Sequence, residues 1–189
     1  GARGVGMGCA VVAAVDDATA SYWNPAGLLR SKGKEMMTSV QPMSLDRRQS
    51  SFSARLNLRG ELALGFSWVH ARVGDVVGRA SSGIPTGDIR DSQNAYHVAV
   101  ARQLHPRLTA GAILKVLEHE IAVPGRGGSS GRGHGFDFGV QYRAFENTYV
   151  GATARNVNSE LSWKVKRSSQ QSTTTDDPLP REVALGLAY

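Results

Sequence analysis

ELALGFSWVHA, residues 61–71, alternates strictly between two kinds of side chain. Leu62, Leu64, Phe66 and Trp68 fall on one face of an extended chain, and small residues fall on the other. This period of two predicts a β-strand with one apolar face and one small or polar face. Such a strand suits either a soluble β-sandwich or a transmembrane β-barrel.

The same alternation recurs along most of the chain after residue 50. The segments that follow it are 94–104, 107–121, 134–143 and 182–189, together with 50–58, 148–156 and a weaker strand at 35–44. About eight strands result, most of them with the roughly 9–11 residues that a tilted transmembrane strand needs. No run of eighteen apolar residues occurs, which excludes a transmembrane helix.

The links between these strands alternate between short and long. Short links are expected near 58–61, 104–107 and 144–147, and long polar loops at 74–92, 122–133 and 158–180. Alternate links of an up-and-down meander lie at opposite ends, as in outer-membrane barrels with short periplasmic turns and long external loops. We therefore predict an all-β, antiparallel up-and-down transmembrane β-barrel with its apolar face toward lipid. A β-sandwich is the alternative, although its Greek-key crossings tend to break such regularity.

Residues 1–33 do not alternate and are predicted to form a helical plug before barrel residues 34–189. The candidate plug motif consists of Asp16, Asp17, Tyr22, Trp23, Asn24, Pro25 and Gly27. An acidic residue of the pair is expected to cap a short helix that ends at Trp23, and Pro25 disfavours helical geometry at Asn24. We expect Tyr22 and Trp23 to be buried, Asn24 to bond to backbone, and Gly27 to be left-handed.

A second candidate site is a charge network in the lumen. Lys115 and Asp137 fall on the inner faces of consecutive strands, and Arg143 lies on the same face as Asp137. Inward charges need partners or water, and an opposite charge on the adjacent strand supplies one. We predict that Lys115 and Asp137 pair in the lumen, directly or through Arg143.

No motif of enzyme chemistry stands out. GVGMG, residues 4–8, lacks the strand and the Lys-Ser/Thr of a phosphate loop, no nucleophile elbow is present, and the five His residues lack metal-ligand spacing. The net charge of +6 is scattered and favours solvated loops over nucleic acid. The basic glycine-rich stretch 125–133 is typical of an external loop. We expect no catalytic residue, metal or cofactor.

The opening segment carries a family resemblance. GARGVGMGCAVVAAVDDATASYWNPAGL, residues 1–28, resembles the N-terminal signature of the PorV/PorQ family of bacterial outer-membrane proteins, within the FadL superfamily. TAGAILKVLEHE (109–120), GFDFGVQYR (135–143), ATARNVNSELSWK (152–164) and DDPLPREVALGLAY (176–189) are similar to later family strands. Cys9 departs from the family, which usually has a second Gly there.

The resemblance implies an outer-membrane protein whose signal peptide has been removed. A PorV-like protein has an interaction or scaffold role in protein secretion or envelope assembly, with membrane lipid and envelope or secreted proteins as partners. A FadL-like protein instead passes hydrophobic small molecules through a plugged barrel with a lateral opening. Because the opening segment looks more like PorV/PorQ, we predict the scaffold role and keep the channel as the alternative.

The number of strands predicts a larger barrel than this chain supplies. Family barrels have about fourteen strands, within the even-numbered range of such proteins. A barrel of about eight strands is filled by its own side chains and has no room for a plug of 33 residues. We therefore expect the N-terminal portion of a larger barrel, with a small closed barrel ending at the aromatic Tyr189 as the alternative.

Overall fold

The fold is one antiparallel β-sheet that follows the order of the chain. The structure is a computed structural model and describes residues 2–58, 61–123, 127–168 and 171–189. Its strands there are β1 (Lys34–Met43), β2 (Arg47–Asn57), β3 (Leu62–Arg79), β4 (Pro85–His105), β5 (Leu108–Val123), β6 (Gly127–Arg143), β7 (Tyr149–Ser168), β8 (Gln171–Pro178) and β9 (Glu182–Ala188). From β1 to β8, each strand pairs antiparallel with the next.

The last two strands share one position in this sheet. β8 pairs with residues 160–168 of β7, and β9 pairs with residues 149–155 of the same strand. In the described part of the chain the sheet is therefore eight strand positions wide and open, since β1 pairs with neither β8 nor β9. The predicted all-β, antiparallel up-and-down class is confirmed. None of the described helices is long and apolar enough to cross a membrane.

The two surfaces of the sheet differ as the alternation predicts. Phe66, Val98 and Phe138 are exposed on the outer face, whereas Ser67 and Lys115 are buried on the inner face. An exposed apolar surface around a buried polar one is the opposite of the arrangement in a soluble protein. It is typical of a barrel wall whose outer surface contacts lipid.

The strands are longer than the sequence pattern predicts. β4 has 21 residues and β7 has 20, about twice the 9–11 that span a membrane. The prediction of long loops at 74–92, 122–133 and 158–180 is therefore wrong for most of their length, because backbone pairing continues through polar side chains. Residues 80–84 link β3 to β4, whereas 124–126 and 169–170 lie outside the described residues. The polar stretch 168–177, predicted as a loop, forms most of β8.

The two ends of the sheet are distinct. Tight links at 106–107 and 144–148 mark one end, called the turn end. The long strand pairs β3–β4, β5–β6 and β7–β8 project from the opposite, extended end. Inner-face residues that are partners on neighbouring strands form rows across the sheet. These rows are stacked from the turn end to the extended end, and they set the height of each inner-face side chain in the candidate site.

Candidate functional site: the plugged lumen

The N-terminal segment packs against the inner face of the sheet. It contains α1 (Ala2–Gly6), α2 (Ala20–Trp23) and a 3₁₀ turn (Pro25–Leu29) before β1. A buried cluster joins its Val15 and Leu28 to Ala63, Ala99 and Ile113 of the strands. We call residues 2–33 the plug, because they fill the concave side of the sheet toward the turn end.

The acidic pair of the plug does not cap α2. Asp17 Oδ1 accepts a hydrogen bond from the Thr19 backbone N–H at 2.9 Å and so orders the turn before the helix. Asp16 forms an ion pair with Arg3, and their hydrogen bond raises the pKa of the Arg3 guanidinium. The predicted cap does not form at the helix itself, because α2 begins at Ala20 and the residue directly before it is Thr19, which makes no side-chain capping bond.

Asn24 joins three segments of backbone. Its side chain is fully buried, and Nδ2 donates to the Val12 carbonyl at 2.7 Å and to the Val140 carbonyl at 3.3 Å. Its Oδ1 accepts from the Ala26 N–H at 3.2 Å and caps the 3₁₀ turn that starts at Pro25. The following proline explains the extended backbone of Asn24, with φ −157° and ψ 109°. The side chain therefore ties the plug to itself and to β6.

Glycines on the inner face provide the seat of the plug. This glycine belt consists of Gly65, Gly111, Gly139 and Gly151, on four different strands. A Cβ atom on Gly111 would lie 2.8 Å from the Cβ of Pro25, and one on Gly139 would overlap Asn24 Oδ1. Both separations are below van der Waals contact, so a side chain at either position would displace the plug.

Gly27 serves close packing rather than a left-handed turn. Its φ is not positive, whereas Gly33, just before β1, has φ +90°. A Cβ atom on Gly27 would lie 2.5 Å from the Val15 carbonyl oxygen. The prediction of a left-handed Gly27 is wrong, because the left-handed residue before β1 is Gly33. Gly27 is a glycine because Val15 of the plug leaves no space for a side chain there.

The aromatic pair of the plug is half-buried, not fully buried as predicted. Tyr22 packs edge-on against Trp23 at 4.9 Å between ring centroids and against His97 of β4 at 5.2 Å. Arg155 of β7 donates from Nη2 to the Trp23 carbonyl at 2.9 Å, and its guanidinium lies 5.4 Å from the Trp23 ring. One arginine therefore holds both the backbone and the rings of the plug.

Lys115 and Asp137 form a buried ion pair beside the plug. Lys115 Nζ lies 2.7 Å from Asp137 Oδ1, and the two side chains are only 8% and 6% exposed. Asn156 of β7 accepts from Lys115 Nζ through its side chain and donates its backbone N–H to Asp137 at 2.8 Å. Asn156 has a left-handed φ of 55° at a bulge in the β6–β7 pairing, which aims its N–H at the carboxylate.

Arg143 does not join this network. Its side chain is exposed at the turn end, where Nη2 approaches the Pro106 carbonyl at 3.4 Å. It lies six residues beyond Asp137 on the same strand, which corresponds to about 20 Å. The predicted sharing of Arg143 is therefore wrong: the shared strand face was identified correctly, but distance along the strand separates the groups.

The inner face turns apolar beyond the ion pair, toward the extended end. One register row runs Val69–Ala95–Leu117–Gly133–Leu161, across β3 to β7. The next row holds Ala71 and Trp163 at its sides, with the polar Gln93 and His119 between them. We call the side chains of Val69, Ala71, Ala95, Leu117, Leu161 and Trp163 the apolar lumen patch. All six are partly exposed, as expected for a wall that borders open space rather than plug.

A polar group borders this patch. Gly131 lies between His119 and Trp163 in register, and its missing side chain lets the two rings meet at 4.8 Å. His119 Nε2 lies 2.8 Å from Asp91 Oδ1. Within the described residues no group of three or more His, Cys, Asp or Glu side chains could hold a metal ion.

Three residues of the site were not singled out from the sequence. Arg155 and Asn156 follow each other on β7, and His97 lies directly opposite Lys115 in the register of β4 and β5. Asparagine is uncommon inside strands, so the sequence Arg-Asn-Val-Asn at 155–158 signals the bulge. No comparable signal marks His97, which has the ordinary pattern of an inward-facing residue.

Comparison with known proteins identifies the architecture. The fold matches the monoaromatic hydrocarbon channel CymD with a TM-score of 0.65 and 14% identity, covering 97% of this chain and 63% of that one. It also matches the toluene transporter TodX of Pseudomonas putida, with a TM-score of 0.54, 14% identity, and coverage of 94% and 64%. The fold is that of a transmembrane β-barrel. The chain spans just under two thirds of the length of either channel.

These neighbours bear on the fold. They agree with the predicted outer-membrane β-barrel and do not show the PorV/PorQ family. Both neighbours are described as transport proteins. No family model and no curated protein matches the sequence.

Proposed function

We propose that this chain forms part of an outer-membrane channel for hydrophobic small molecules of the size of a single aromatic ring. The observation that carries the proposal is the apolar lumen patch. Lumens of general porins are polar, whereas here Val69, Leu117 and Leu161 line one row of the inner wall. Two hydrocarbon channels of the same fold support the same choice of ligand.

The plug closes the lumen below this patch. A molecule that reaches Leu117 next meets the row of His97 and Lys115, against which Tyr22 packs. The β6–β7 ladder is interrupted beside that row, since Phe136 pairs with Val157 between two register shifts. The wall is therefore least regular where the apolar path ends, which suits the lateral opening that the superfamily resemblance implies.

The proposal also covers placement in the membrane. We propose that the extended end faces the outside of the cell and that the plug faces the periplasm, as in barrels with short periplasmic turns. We propose that residues 34–189 form part of the wall of a larger barrel and that further strands complete it. In the described residues the two edges of this sheet do not pair with each other.

Uptake of labelled toluene by cells that lack their own hydrocarbon channel tests the transport role. We expect expression of the wild-type protein to raise uptake, and Leu117→Gln with Leu161→Gln to reduce that gain about tenfold by removing apolar contact. Leu117→Met, which keeps the wall apolar, is the matched control and is expected to behave like the wild type. Antibody detection of the barrel at equal abundance is required for each comparison.

Two outcomes would reject the transport role. One is toluene uptake equal to that of cells with an empty vector. The other is an equal gain for toluene and for a small polar sugar, which would indicate a general pore. If the double variant transports as well as the wild type, the channel remains but the apolar lumen patch is not its path.

A further inference from the structure

We propose that arginines on the outer face bind the phosphates of a membrane glycolipid at the extended end. Arg48 of β2 and Arg72 of β3 lie directly opposite each other, and Arg90 follows on β4. All three are exposed on the lipid-facing side of the wall. The proposal rests on the apolar band of the barrel and not on the channel activity.

The position of these arginines relative to the membrane is set by an aromatic row. Phe52, Trp68 and Tyr96 are in register on β2, β3 and β4. Trp and Tyr gather at the boundary between hydrocarbon and headgroups. The Trp68 Nε1–H donates to Asn94 Oδ1 at 3.1 Å, which fixes the indole at this level. The surface above this row therefore contacts headgroups.

Arg48 and Arg72 lie two register steps beyond this row, and Arg90 lies three steps beyond it. Arg48 is four residues past Phe52, and Arg72 is four residues past Trp68, which is about 10 Å outward for a tilted strand. Phosphates of simple phospholipids sit close to the aromatic level, whereas a phosphorylated sugar headgroup extends further from the hydrocarbon. The height of the cluster therefore favours a glycolipid with phosphates on its sugars.

The charge of the cluster calls for an anion. Like charges directly opposite across a sheet are destabilising, and among the described side chains Arg48, Arg72 and Arg90 form no ion pair with a carboxylate. The acidic Glu118 on β5 is paired with Arg132 of β6 at 3.7 Å. An anion between Arg48 and Arg72 would relieve their repulsion.

The surface offers room for such a group. A groove of about 430 Å³ beside the cluster is lined by His70, Arg72, Val73, Gly74, Arg90, Asp91 and Ser92. Its one carboxylate, Asp91, lies 2.8 Å from His119 Nε2, and Arg48 is outside the lining. A Cβ atom on Gly74 would lie 3.3 Å from Arg72 Nη2, so the guanidinium rests along a bare stretch of strand. Guanidinium groups bind phosphate through paired hydrogen bonds. The groove thus presents forked donors at the height of a sugar phosphate.

Native mass spectrometry of the protein in nanodiscs tests this site. The discs contain phosphatidylcholine with either diphosphorylated lipid A, its dephosphorylated form, or phosphatidylglycerol. We expect wild-type protein to retain the diphosphorylated glycolipid. The variant R48Q/R72Q/R90Q should bind it about tenfold or more weakly, on the usual scale of charged hydrogen bonds. Arg47→Gln is the matched control, because Arg47 neighbours Arg48 but faces the inner side.

Each remaining outcome would overturn the proposal. Equal retention by the triple variant would show that these arginines do not bind the lipid. Equal retention of phosphatidylglycerol or of the dephosphorylated glycolipid would show no preference for sugar phosphates. Loss of binding in Arg47→Gln as well would indicate a general effect of charge. Release of the glycolipid by millimolar inorganic phosphate would assign the groove to free phosphate instead.

Discussion

The buried ion pair gives the sharpest test of the plugged lumen. Replacing Lys115 by Met removes one charge and leaves Asp137, which is 6% exposed, without its cation. An ion pair in a wet lumen contributes about 0–1 kcal/mol, whereas removing one partner of a buried pair costs about 3–5 kcal/mol. The low exposure places this pair in the buried class. We therefore expect Lys115→Met to lower the free energy of unfolding by about 3–5 kcal/mol.

The double variant Lys115→Met/Asp137→Asn tests whether the cost of Lys115→Met comes from the unpaired charge on Asp137 or from the lost packing of the lysine side chain. The amide of Asn keeps an oxygen that accepts from the Asn156 N–H, which lies 2.8 Å from Asp137 in the wild type. Since no buried charge remains, the double variant should be more stable than Lys115→Met alone, by about 2 kcal/mol or more. Lys164→Met, at an exposed lysine of β7, should stay within about 0.5 kcal/mol of the wild type.

Urea unfolding in lipid vesicles measures these differences through the fluorescence of the three tryptophans, with linear extrapolation to zero denaturant. A cost below about 1 kcal/mol for Lys115→Met would refute the reasoning, because it would class the pair as solvated. A double variant that loses the sum of the two single changes would also refute it, since additivity means that the side chains do not interact.

Three other predictions concern the plug and the orientation of the barrel. Gly139→Val should displace the Asn24 side chain and cost about 1–3 kcal/mol of unfolding free energy, as overpacking does, whereas Ala112→Val on the lipid face should cost less than about 0.5 kcal/mol. Arg155→Met should loosen the plug and increase iodide quenching of tryptophan fluorescence in the folded protein; unchanged quenching would contradict this. Ser82→Cys, in a cysteine-free background, should react with an impermeant thiol reagent in intact cells, and reaction only after outer-membrane rupture would reverse the proposed topology.

The strands and their faces could be predicted from the sequence because one rule controls both. Side chains that point toward lipid must be apolar, so an apolar residue at every second position predicts both the strand and the face that points outward. Lys115 and Asp137 could be placed on the inner face for the same reason. The apolar alternation does not predict where a strand ends. Polar residues such as those at 171–178 also form a paired strand, although they show no such alternation.

The plug was less predictable, because its structure depends on contacts across the chain. Local signals located Asn24 and Pro25 at a stop, but the cap at Asp16 or Asp17 and the left-handed Gly27 do not occur. Gly27 is a glycine because Val15 approaches it from another part of the plug. Short segments of this kind take their shape from the surface they cover rather than from their propensities.

We expect the plug to keep water from the ion pair, whose side chains are only 8% and 6% exposed, and this would couple the two parts of the site. If the plug is dislodged, water reaches Lys115 and Asp137, and the pair becomes a solvated one that contributes about 0–1 kcal/mol. Gly151→Val provides such a perturbation, because a Cβ atom there would lie 2.6 Å from the Val12 carbonyl, and Gly151 pairs with Gln141, four residues from Asp137.

In the Gly151→Val background, Lys115→Met should therefore cost about 0–1 kcal/mol instead of about 3–5 kcal/mol. Sites separated by more than about 10 Å normally contribute additively, so non-additivity would have to come through the plug. Ala112→Val, on the lipid face, should leave the cost of Lys115→Met unchanged. If Lys115→Met has the same cost in both backgrounds, the plug does not control hydration of the pair, and the ion pair and the plug act independently in the lumen.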